Sequence, residues 1–151
     1  MQQSRKYLKT SSVVVLALAG LSLLNILFEV FFGELNTELS NATIPDGAPE
    51  NVVLIAKIVV LSISVLLLLP HAYIGVKGIK IAKNPDDSSA HIIWGIILIV
   101  LTATELIPPF LAFIRGDGEA FADASEFLSI AVDVAVLAEY VKYARAVRDE
   151  I

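Results

Sequence analysis

Between Ile92 and Ile114 lie about 23 consecutive residues that carry a single charge, Glu105. At about 1.5 Å per helical residue, such a run matches the roughly 30 Å hydrocarbon layer of a bilayer. Lipid offers the backbone no hydrogen-bond partner, so an apolar run of this length can only be helical. A carboxylate within it is expensive in lipid and is expected to face protein. The sequence therefore speaks first about how the chain sits in a membrane, and only weakly about what it does there.

The rest of the chain repeats the pattern. Of 151 residues, 56% are hydrophobic and 18% charged, with a mean hydropathy of +0.75. A water-soluble domain carries about a quarter charged residues. Four apolar runs account for most of the length, which predicts one domain with spans near 8–33, 52–82, 90–114 and 119–147. The first follows Arg5, Lys6 and Lys9 as a signal peptide would. Its apolar core is too long for one and no small-residue cleavage pattern follows, so it reads as a retained span.

The punctuation between the runs is explicit. Residues 34–51 read as a polar, acid-rich connection in which Pro45, Gly47 and Pro49 break regular structure. Pro70 predicts a kink in the second span. Asn84 to Ser89 read as a helix stop, a turn and a new helix start. Pro108-Pro109 should bend or break the outer quarter of the third span, and Arg115 to Gly118 form a turn. The fold class expected is an all-α integral membrane protein, a four-helix up-down bundle.

Basic residues give the orientation. Arg5, Lys6, Lys9, Lys77, Lys80, Lys83, Lys142, Arg145 and Arg148 all fall on one side of that topology, leaving only Arg115 and the intramembrane Lys57. The positive-inside rule then places both termini in the cytoplasm of a multi-pass cell-membrane protein.

Within the spans, polar residues recur at helical spacing. Ser22, Asn25 and Glu29 share one face of the first. Lys57, Ser64, His71 and Gly78 share one face of the second. His91, Gly95, Thr102 and Glu105 align on the third, and Glu126, Ser129, Asp133 and Tyr140 on the fourth. Four such stripes are best accommodated facing one another as an inward polar seam. That places Lys57 as the internal cation among Glu29, Glu105 and Asp133, with Asn25 beside them and Glu126 toward the outer entrance. Lys57→Leu is then expected to cost a few kcal/mol, because it strands buried acids. His71 and His91 lie on the same seams and are candidates for an inner relay. Gly75 and Gly78 with Ala72, and Ala131, Ala135 and Ala138, read as close-packing patches.

Several chemistries are excluded or disfavoured. Cysteine is absent, which removes disulfides, thiolate metal sites and thiol redox chemistry. The net charge of −5 and the lack of a dense basic block argue against nucleic acid. No phosphate loop, zinc-binding histidine pair or serine elbow occurs, and no cofactor or metal is expected. Haem between His71 and His91 is weaker than the structural reading of each. The expectation is thus not an enzyme, with a membrane-embedded enzyme working through Glu105, Asp133 and the histidines kept as a third reading. The leading expectation is a small accessory, scaffold or regulatory membrane subunit whose partners are the lipid bilayer and either a larger membrane protein or further copies of itself. The competing expectation is a proton- or cation-coupled small transporter or channel, acting as an oligomer through Glu105 and Asp133.

Overall fold

A computed structural model describes residues 2–42, 51–86, 88–115 and 124–151, without the side chains of 109, 112, 113, 115 and 124–126. Among these residues there are six helices and no strand: α1 (Gln2–Phe31), α2 (Glu34–Asn41), α3 (Val52–Lys83), α4 (Ala90–Thr104), α5 (Ile107–Arg115) and α6 (Ala124–Asp149). Two segments, Gln2–Asn41 and Val52–Lys83, are long and apolar enough to cross a membrane. α4 is apolar but has only 15 residues, about 22 Å of rise. α6 is longer, but it carries Asp133, Glu139, Lys142, Arg145 and Arg148 along its 26 residues.

Two departures from the sequence reading have clear local causes. The expected third span is two helices. α4 ends at Thr104, where the amides of Glu105 and Leu106 tighten onto Thr102 O and Ala103 O, at 3.1 and 3.2 Å. Pro108 and Pro109 have no N–H to return to the carbonyls of Thr104 and Glu105, so the α-ladder cannot be carried through. The interruption falls at Glu105 itself. The second departure is α2, which occupies the first part of the stretch read as irregular. Leu35 and Leu39, four apart, turn inward together with Asn36, while Glu34, Thr37 and Glu38 stay exposed. Pro45, Gly47 and Pro49 lie outside the described residues, as do the turn after Arg115 and residues 119–123 of the expected fourth span.

The chain forms two compact units, and the boundary in α3 falls at Pro70. The first comprises Met1–Leu18 and Pro70–Ile151, the second Ala19–Leu69. Proline leaves the carbonyl of Leu66 without its usual donor, yet α3 is helical on both sides of it.

The hydrophobic core lies in the first unit. Leu8 and Val15 of α1, Ile74 and Ile81 of α3, Ile92 and Leu98 of α4, and Leu137, Tyr140, Val141, Ala144 and Val147 of α6 are buried together. Its tight crossings depend on glycine. A Cβ on Gly78 would sit 2.6 Å from Tyr140 Cε2, and one on Gly95 would sit 2.7 Å from Val141 Cγ2. Gly75 plays the same part against Leu16 and the Ser12 carbonyl. Small residues of this kind let helices approach until backbone and side chain touch, which is the main source of packing energy where lipid removes the hydrophobic drive. On α6 the close-packed small residue is Ala144; Ala135 and Ala138 are exposed and Ala131 is only half-buried.

Candidate functional site

The seam residues divide between the two units. Asn25, Glu29 and Lys57 belong to the second, and His71, His91, Glu105 and Asp133 to the first. In the second unit, Lys57 is half-buried and its ammonium donates to Asn36 Oδ1 at 2.5 Å, with the Phe31 ring centroid 5.8 Å away. Both contacts desolvate the charge gently: one oxygen dipole and one aromatic face. Asn36 was invisible to the sequence reading because it sits on α2, a helix assigned there to a loop. Glu29 is half-buried and leans on Gly33, whose missing Cβ leaves room for the carboxyl group. Asn25 is exposed, as is Ser22.

In the first unit, polar groups gather around Tyr140. This residue is 0% exposed and its hydroxyl has no hydrogen-bond partner among the described residues. Its ring fits between Gly78 of α3 and Gly95 of α4. His91, at the start of α4 and 1% exposed, stands edge-on to that ring with centroids 6.2 Å apart. Ser12 of α1 is also buried. Its Oγ donates to Leu8 O at 2.6 Å, back along its own helix, and lies against Gly78. Thr102 of α4 is buried as well. Asp133, half-buried on α6 two turns before Tyr140, lies within electrostatic reach of His71 on α3. Three of the sequence stripes therefore do meet in this unit. They meet at Tyr140, Gly78, Gly95 and His91, with Asp133 near His71. Ser12 was missed, since a lone serine in an apolar run gives no periodic signal.

Glu105 does not join them. It caps the C-terminal end of α4 at the interruption and is exposed, flanked by exposed Leu101 and Ile107. Within the first unit it has no hydrogen-bond or ion-pair partner among the described residues. The Glu126 side chain lies outside the described residues.

At the turn between α3 and α4, Asp86 accepts Lys77 Nζ at 2.7 Å and the Ser88 amide at 3.1 Å. The Lys77 ammonium holds the Asp86 carboxyl below the usual carboxylate range. The fixing effect of this pair on the turn is present at neutral pH and is lost as pH falls through the lowered value. Among the described residues, no three metal-ligating side chains converge.

No protein-family model matches the chain, and neither a curated protein nor a solved structure is significantly similar to it.

Proposed function

We propose that the chain is a small multi-span membrane protein that acts as an accessory or scaffold subunit, docking a larger membrane protein or a second copy of itself. The observation that carries this reading is Glu105. A carboxylate on the outward surface of an apolar helix, between Leu101 and Ile107, costs about 3 kcal/mol at the depth of a span unless another group meets it. No described residue of its own unit supplies that group. A basic or hydrogen-bonding residue of a neighbouring transmembrane helix does. The exposed Asn25 on α1 adds a second polar point of the same kind. In this reading all four apolar runs span the bilayer, α4 and α5 together forming the third. Both termini then lie on the cytoplasmic side, in keeping with Ser4 Oγ donating to Glu150 Oε1 at 2.8 Å.

The test is co-purification in mild detergent. Wild type is expected to retain a stoichiometric partner or to self-associate, and Glu105→Leu to run as a lone chain of unchanged fold. Equal association of both proteins would remove the basis for the reading.

A second reading, a proton-coupled carrier, is favoured by one arrangement: Asp133 within electrostatic reach of His71, and the buried His91 and Tyr140, all in the same unit. It requires proton flux into proteoliposomes that Asp133→Asn abolishes. A sealed vesicle that passes no protons with wild type removes it.

A further inference from the structure

The N-terminal part of α1 runs antiparallel to α6. Ser4 reaches Glu150, and Tyr7 stacks on Tyr143 with centroids 5.0 Å apart. Further along, Ser11 and Val14 face Ala135, Val136 and Glu139 across a shallow groove of about 200 Å³. The surface of this groove is almost wholly apolar, which suits a hydrocarbon chain. Its end is marked by the two tyrosines and by Lys142, whose ammonium lies 5.0 Å from the Tyr143 ring.

The same end of the unit carries all the Lys and Arg residues of the chain except Lys57 and Arg115. The described acids there are already engaged. Asp86 holds Lys77, Glu139 holds Lys142 at 3.2 Å, Asp149 holds Arg148 at 3.3 Å, and Glu150 accepts from Ser4. Lys6, Lys9, Lys80, Lys83 and Arg145 are exposed, with no ion-pair partner among the described residues. Five free cations thus remain at the end of the unit toward which the apolar groove runs, with Tyr7 and Tyr143 between. Tyrosine suits the level at which headgroups meet acyl chains, and lysine and arginine attract phosphate.

We infer that the α1–α6 groove and this basic end form a site for an anionic phospholipid: an acyl chain lies along Ser11, Val14, Ala135 and Val136, and the headgroup phosphate is drawn to the free lysines and Arg145. The inference rests on the membrane reading above, but not on the docking role of Glu105. It explains why the end keeps so many cations unpaired when acids are otherwise in excess in the chain.

The experiment uses the full chain reconstituted in phosphatidylcholine vesicles, with spin-labelled phosphatidylglycerol or phosphatidylcholine as probes and motionally restricted lipid read by electron spin resonance. Flotation of the protein with the vesicles is checked first; protein left in the aqueous phase overturns both the membrane reading and the site. With inserted protein, wild type is expected to prefer the anionic probe several-fold, since each cation near an anionic surface strengthens the attraction about fivefold. Raising salt from low to about 1 M, where screening is complete within about 3 Å, should bring the preference to unity. The variant K6Q/K9Q/K80Q/K83Q/R145Q should show little preference at any salt, and Ala135→Trp should lower the restricted fraction of both lipids by filling the groove. Equal binding of the two probes by wild type overturns the site, as does a preference that survives salt. Competition by millimolar inorganic phosphate would also overturn it, because the site would then be one for free anions.

Discussion

Lys57 shows how far one side chain's energetics depend on its partner. Set among three carboxylates, its removal would strand buried acids and cost a few kcal/mol. Bonded to Asn36 Oδ1, its removal loses one charge-assisted hydrogen bond to a neutral group and leaves an amide oxygen that another donor can reach. Lys57→Met is therefore expected to lower stability by only about 1 kcal/mol. Thermal unfolding in detergent measures it, and a loss of several kcal/mol would point back to an acid as the true partner. Tyr140 gives the opposite case. Its ring is locked between two glycines, while its hydroxyl makes no hydrogen bond among the described residues. Tyr140→Phe keeps the ring and removes a buried, unsatisfied group, so stability should stay level or rise by up to about 1 kcal/mol. A marked drop in the same melting experiment would mean that the hydroxyl is held by a group the chain binds. Tyr140 was legible as a seam residue from its spacing after Asp133. That its hydroxyl would go unpaired was not, because pairing depends on where α1 and α4 approach.

At the scale of elements, the short-range signals were the readable ones. Pro108-Pro109 marked the end of a continuous helix, and the chain breaks three residues earlier because the lost donors belong to the carbonyls of the preceding turn. Replacing both prolines by alanine restores those donors. The double variant is expected to join α4 and α5 and to slow amide exchange at residues 104–107 at least tenfold, as read by hydrogen–deuterium exchange. Unchanged exchange would assign the break to the polarity of Glu105 instead. α2 went unread because three breakers downstream outweighed the Leu35 and Leu39 pair. The breakers act only on their own neighbours, and the helix is complete at Asn41 before the first of them. The small residues on α3 and α6 could be recognised as packing material from sequence. Which of them would lie at a crossing depended on helix azimuth. Gly75 and Gly78 do, Ala135 and Ala138 do not, and Ala144 was overlooked.

For the whole molecule, the N-terminal part of α1 lies alongside the C-terminal part of α6, with Ser4 bonded to Glu150 and Tyr7 stacked on Tyr143. In the four-span reading proposed above, both termini lie on the same side of the membrane. Because the chain has no cysteine, single cysteines at Ser4 and Ile151 are clean reporters. Both should react with an impermeant maleimide from one face of inverted vesicles and from neither in sealed cells. Labelling from opposite faces would rule out an even number of spans.

By itself the sequence determined the local features: apolar runs that must be helical, prolines that interrupt them, and cations gathered toward one end. These follow from chemistry acting over a few residues, the reach of a backbone hydrogen bond or of a helical turn. Only the tertiary structure decided which polar groups meet. Periodicity assigns a residue to a face of its own helix but says nothing of which helix that face opposes. Lys57 therefore found Asn36 on an unforeseen helix, Tyr140 met His91 and Gly78, and Glu105 came to lie exposed at the break between α4 and α5.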